Sequence, residues 1–211
     1  MTGALGKFLL GVFKNEYVAT LFVSMFPLIE LKGAIPIGTG IFHLNLWQTA
    51  GIAYLGSTII SIAVFFLLIP VFNLLKKIGF IRKLVERIES IFEEKARKIA
   101  QKTDGSPEKE AKKIMMLSLF IFVAVPFPVT GVWTGTAIAV FLGLKFRESV
   151  LPIAAGNLIA GSIITLLTRF AYKYVDIIIY SLFAIAILML VLMILKIVFA
   201  KPEKKEQNEN E

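Results

Sequence analysis

The chain alternates between long apolar runs and short polar interruptions, and that spacing predicts its elements. Residues 49–72, TAGIAYLGSTIISIAVFFLLIPVF, carry no charge, and neither do residues 177–195, IIIYSLFAIAILMLVLMIL. Each run is close to the ~20 residues a helix needs to cross the hydrocarbon of a bilayer. Trp47 at one end of the first run, and Lys76 and Lys77 at the other, suit the two interfaces and predict a spanning helix over 47–72. Further spans are predicted over 149–170 and 177–199.

Two other apolar stretches are interrupted. YVATLFVSMFPLI (17–29) and GAIPIGTGIF (33–42) are each too short to span. Between and across them lies PLIELKGAIPIGTG (27–40), with Glu30, Lys32, Pro27, Pro36 and three glycines. Two short halves around a Pro/Gly-rich break predict a re-entrant hairpin over 17–43, with Pro27 and Pro36 stopping regular helix. Residues 114–144 are long enough to span, but PFPVTG (126–131) interrupts them. Lys112 and Lys113 lie at one mouth of this stretch and Lys145 and Arg147 at the other, which predicts a second re-entrant hairpin over 112–144. Non-helical backbone at such depth is tolerated only where protein or a water-filled cavity surrounds it.

The rest of the chain is polar or amphipathic. Over 80–102, Ile81, Leu84, Val85, Ile88, Ile91, Phe92 and Ile99 recur at helical spacing between charges, predicting an amphipathic helix at the membrane surface. Ser106 is read as the cap of the next helix, with Pro107 at its first position. Residues 1–16 are weakly amphipathic and do not read as a cleavable signal peptide, because Lys14 and Glu16 break the run. The tail, 201–211, has no apolar content to fold and is predicted to be disordered. Residues 76–113 hold the densest cluster of basic residues, which places them, and with them the C-terminus, in the cytoplasm.

Composition narrows the class. Of 211 residues, 57% are hydrophobic, too many for an ordinary soluble domain. The net charge of +8 flanks the apolar segments, which argues against nucleic acid as a partner. No cysteine is present and His43 is the one histidine, so thiolate chemistry is excluded and a zinc site is not supported. No hydrolytic triad or phosphate-cradling loop is found, so neither an enzyme nor a cofactor is expected.

The halves resemble each other. LNLWQTAGIAYLGS (44–57) aligns with LKFRESVLPIAAGN (144–157) without a gap, matching Gln48 to Glu148, Gly56 to Gly156 and Ser57 to Asn157; upstream, Gly33 pairs with Gly131. Asn157 is read as an interhelical hydrogen-bond former. One span between the hairpins makes them open to opposite faces. The expected fold is thus an all-α integral membrane protein: an inverted repeat of re-entrant hairpin plus transmembrane helix, with an additional C-terminal transmembrane helix. Such repeats place a substrate site near the midplane where broken helices meet.

The candidate substrate- or proton-binding residues are Glu30, Lys32, Gly33, Pro36, Thr39, Pro128, Thr130, Gly131, Trp133 and Thr134. An intramembrane carboxylate is by default a functional candidate. The structural alternative for Glu30 is an ion pair with Lys32. Broken helices aim free backbone N–H and C=O groups into a cavity, to which the threonines add hydroxyls. The alternative for the glycines and prolines is that they only shape the turns, and for Trp133 that it fills space.

ELKGAIPIG (30–38), followed by PFPVTGVWTGTAIAVFLGL (126–144), resembles the putative small multidrug export family, itself similar to the DedA/VTT superfamily. The first resemblance implies export of small molecules. The second implies translocation of lipid phosphates with proton coupling, and Glu30 resembles the acid of the DedA first hairpin. DedA proteins carry arginines around the second turn. Residues 127–136 hold none here, which moves a cationic role to Lys32. The expected partners are membrane lipids, a small-molecule or lipid-phosphate substrate, and a second copy of the chain. A non-transport scaffold binding through residues 80–102 is the competing reading.

Overall fold

The computed structural model describes residues 2–103, 105, 107–127 and 130–170, together with positions 177, 181, 184, 185, 187, 188, 191, 192 and 195. Among the described residues eight α-helices follow in order: α1 (Thr2–Phe13), α2 (Glu16–Met25), α3 (Glu30–Gly40), α4 (Leu46–Leu75), α5 (Gly79–Ala100), α6 (Glu108–Ala124), α7 (Val132–Phe141) and α8 (Phe146–Phe170). Of these, α4 and α8 are long and apolar enough to cross a membrane. The span expected over 177–199 and the tail over 201–211 lie largely outside the described residues, as do Ser106 and Pro128. Pro107 occupies the cap of α6 rather than its first helical position.

Both long helices are inside out relative to those of a soluble protein. On α4, Leu55, Ile59, Phe66 and Leu67 are more than half exposed, while Thr49, Ser57 and Ser61 are fully buried. On α8, Leu151, Leu158 and Leu167 face outward and Ser149, Asn157, Thr165 and Thr168 face inward. Lipid solvates large apolar side chains as well as a protein core does, so small and polar residues take the helix interfaces instead. Composition and the outward-facing apolar side chains together point to a membrane protein.

The short helices pack beside those long ones. At 1.5 Å per residue, α2, α3 and α7 are each roughly 15 Å long, about half the hydrocarbon thickness. The chain doubles back at each break: a Cβ on Gly38 of α3 would meet Thr20 of α2, and one on Gly135 of α7 would meet Val123 of α6. The first break is narrower than its sequence suggests. It covers residues 26–29, and the stretch from Glu30 to Gly40 is helical with Pro36 inside it. Pro36 does not stop α3; it only removes the N–H that would bond the Lys32 carbonyl. The second break lies between α6, which ends at Ala124, and α7, which begins at Val132, on either side of PFPVTG.

The starts of the two long helices are capped from unmatched positions: Asn45 accepts the Trp47 and Gln48 N–H groups of α4, and Glu148 reaches back to the Lys145 N–H (2.8 Å) at the start of α8. Positions matched in the sequence do the same work in each half. Gln48 accepts the Tyr17 hydroxyl of α2 (3.1 Å), and Glu148 pairs with Lys112 of α6 (3.7 Å). Gly56 lets α4 approach the Leu21 carbonyl and Ser24 on α2; Gly156 lets α8 approach the Phe120 and Ala124 main chain on α6. Ser57 and Asn157 meet each other, the Asn157 amide donating to Ser57 Oγ at 2.8 Å.

Gly156 has a testable cost. A methyl there would meet backbone, which cannot swing aside as a side chain can. Gly156→Ala is expected to cost about 2 kcal/mol through overpacking. Gly51→Ala on α4, where nothing lies within 4 Å, is expected to be neutral or stabilising. Thermal denaturation of the two variants in detergent separates them.

Helix α5 spends much of its apolar stripe on its own chain. Val85 and Ala96 are buried, and Phe92 stacks on Phe141 of α7 at 6.1 Å between centroids. Lys76, just past α4, pairs with Glu89 and ties the two helices together. Leu84 remains exposed.

Candidate functional site

The two breaks meet, and the meeting point is built around Glu30 and Lys32. Glu30 opens α3, and its side chain reaches across to the start of α7. There its Oε1 accepts the Trp133 backbone N–H at 3.2 Å. Gly131 occupies the cap position of α7 and has no side chain to offer a free N–H. Glu30, 103 residues before Trp133, supplies that cap. A carboxylate at a helix N-terminus satisfies an orphan donor and is favoured by the helix dipole.

Lys32 completes the arrangement. Its ammonium lies 3.4 Å from Glu30 Oε2 and donates to the Phe127 carbonyl (2.8 Å) and the Thr130 carbonyl (3.1 Å) of the second break. Both charged side chains are at least nine-tenths buried. Trp133 closes the junction from the other side, its indole N–H donating to the Met25 carbonyl at the end of α2 (2.9 Å). Thr130 shapes the second break, its hydroxyl donating to the Val125 carbonyl (2.6 Å) and Phe127 carbonyl (3.1 Å).

Glycine at 131 is required by space rather than by torsion. Its φ of −115° and ψ of −167° are open to any residue, but a Cβ would fall on the Glu30 carboxylate. Strain sits on the opposite side of the contact. Leu28 and Glu30 hold positive φ, at 71° and 48°. Non-glycine residues in that region cost on the order of 1–3 kcal/mol each, and they collect where surrounding contacts over-determine them.

Of the residues proposed from sequence, the structure brings together Glu30, Lys32, Thr130, Gly131 and Trp133. Gly33 packs against Ile29 within the same turn. Pro36 and Thr39 lie further along α3. Thr39 is about 13 Å from Glu30 by helix rise, and its buried hydroxyl has no partner among the described residues. Thr134 is half-buried on α7 beside Trp133. The carbonyls of Met25, Phe127 and Thr130 were not anticipated, since any residue type supplies a carbonyl. A second polar contact, Ser61 with Thr136 at 3.0 Å, joins α4 to α7 further along the same helix. The Ser57–Asn157 contact is the interhelical bond expected of Asn157.

Two long apolar helices with polar inner faces, and a buried ion pair where two breaks meet, define an all-helical integral membrane protein. More specifically, the chain belongs to the putative small multi-drug export protein family, whose family model matches residues 30–163, more than half of its length. The match begins at Glu30, at the exit of the first break, and runs through the second break to α8. No curated protein and no solved structure shows a significant match to the chain.

Proposed function

We propose that the chain is a small-molecule membrane transporter of the export type, whose site is the junction of the two breaks near the bilayer midplane. The proposal takes α2–α4 and α6–α8 as an inverted repeat, and each pair of short helices as a re-entrant hairpin. The equivalent roles of matched residues support that reading, as does the half-bilayer length of α2, α3 and α7. Glu30 is the proton- or cation-binding group, and Lys32 its resident counter-charge.

One observation carries the proposal: a carboxylate and an ammonium are buried together where the two halves meet. Such a pair is weak as a stabilising device, because desolvation offsets most of its attraction. It is well suited to exchange. An incoming proton or organic cation can take the place of Lys32 on Glu30, and the break can then separate from α7. Lipid-phosphate translocation of the DedA type is favoured less, because Lys32 is already committed to two carbonyls and Glu30. A scaffold role has less support still, since α5 packs much of its apolar stripe within the chain.

Proteoliposomes test this. Uptake of an organic cation driven by a pH gradient is expected for the native chain and absent for Glu30→Gln/Lys32→Met. That double variant removes both charges together, so no unpaired charge is left buried. Uptake that persists in it removes Glu30 from the mechanism. Uptake of a polyprenyl phosphate in place of the cation moves the function to the lipid class.

A further inference from the structure

We infer that the outer groove between α6 and α8 is a binding site for an anionic glycerophospholipid, with its headgroup on Lys113 and an acyl chain along the helices. The inference needs only that the chain lies in a membrane. It is independent of the transport reading.

The groove has a volume of about 410 Å³ and is lined by Lys113, Met116, Leu117 and Phe120 of α6 and by Leu151 and Ala155 of α8. The α6 residues follow the i, i+3, i+4, i+7 pattern of one helix face. The two helices run parallel in fixed register. Lys112 pairs with Glu148 at one end, and Phe120 touches Gly156 two turns on. The groove therefore extends roughly 10 Å inward from its charged mouth. Its walls offer no hydrogen-bonding side chain beyond Lys113, so its occupant within the bilayer is a hydrocarbon chain.

The mouth selects the headgroup. Across residues 108–113 and 145–148 stand five cations (Lys109, Lys112, Lys113, Lys145, Arg147) and three carboxylates (Glu108, Glu110, Glu148). Lys112 is shared between two of the carboxylates, Glu108 and Glu148, and the region as a whole keeps a surplus of two positive charges. Among the described residues Lys113, Lys109 and Arg147 have no ion-pair partner, and all three are exposed. Lys109 lies one turn before Lys113 and Arg147 one turn before Leu151; Glu110 on the same side of α6 offsets one of the three. The matching end of the first half lacks this surplus: residues 14–17 and 44–48 hold Lys14 as their one cation, against Glu16. The surplus also sits at the end assigned to the cytoplasm, where the leaflet is anionic and attracts basic residues.

The experiment is native mass spectrometry of the full chain from detergent, after exchange with phosphatidylglycerol or phosphatidylcholine of identical acyl chains. One phosphatidylglycerol is expected to be retained per chain in preference to phosphatidylcholine. Lys113→Gln and Arg147→Gln are each expected to weaken retention about fivefold, the equivalent of the roughly 1 kcal/mol that a juxtamembrane basic residue contributes. Ala155→Trp fills the groove without changing charge and is expected to lower retention of both lipids. As a check that needs no variant, phosphatidylglycerol with a photoreactive acyl chain should label residues 113–120 and 151–155. Equal retention of the two headgroups overturns the headgroup assignment. Labelling spread over α4 as strongly as over α6 and α8 overturns the groove.

Discussion

Replacing Gly131 by alanine is expected to cost on the order of 3 kcal/mol of stability, far more than the same exchange at Gly143. The comparison is informative because backbone torsion argues the other way. Gly143 holds a φ of +69°, where alanine is strained, but nothing stands within 4 Å of its missing Cβ. Its substitution is expected to cost about 1 kcal/mol. Gly131 has extended torsions that alanine adopts freely, yet its methyl would occupy the place of the Glu30 carboxylate. That carboxylate would have to withdraw from the Trp133 N–H and from Lys32. Breaking a buried pair in this way leaves two uncompensated charges and an uncapped helix, which sets the larger figure. The measurement is thermal denaturation in detergent, with a double-mutant cycle. In the Glu30→Ala background Gly131→Ala should cost at least about 1 kcal/mol less, because the obstructing carboxylate is gone. Equal costs at Gly131 and Gly143, or full additivity with Glu30→Ala, would mean that the junction is not packed as described.

The long helices were legible because they needed only composition. Residues 49–72 contain no charge, and a chain with that much apolar surface has few alternatives to a span. The second break was legible for a similar reason: PFPVTG carries two prolines and a glycine within six residues, and α6 ends just before it, at Ala124. The first break was harder. Pro36 and the glycines at 33, 38 and 40 suggest interruption through residue 40, but α3 runs through all of them. Its neighbours explain part of this: Gly38 lies against Thr20 and Thr49, so it serves close packing of α3 on α2 and α4 rather than a turn. The bend instead falls at residues 26–29. Leu28 within it and Glu30 at its exit accept positive φ without glycine, and propensity rules cannot anticipate that. Glu30, Lys32, Gly131 and Trp133 were legible as candidates through residue type and place in the break. That Glu30 caps α7 was not, because the contact joins residues 103 apart and its acceptors and donors include main-chain groups common to every sequence.

Lys32→Met alone is expected to be less stable than Glu30→Gln/Lys32→Met, although the double variant carries more changes. Removing only the lysine leaves the Glu30 carboxylate buried with the Trp133 N–H as its remaining described donor, and leaves the Thr130 carbonyl without the ammonium. Stranding one charge of a buried pair costs about 3–5 kcal/mol. In the double variant, the glutamine that replaces Glu30 keeps an oxygen for the Trp133 N–H, and the methionine fills the volume of the lysine stem. Exchange of both charges for neutral groups is often neutral or stabilising. The order of melting temperatures should therefore be native and double variant together, with the single variant well below. Transport should follow a different order, lost in the double variant despite its stability. This divergence distinguishes a pair kept for function from one kept for folding, since a purely structural pair would leave uptake intact wherever the fold survives. If Lys32→Met melts with the native chain, Glu30 does not depend on Lys32 in the folded state, and the exchange of partners proposed for transport loses its starting point.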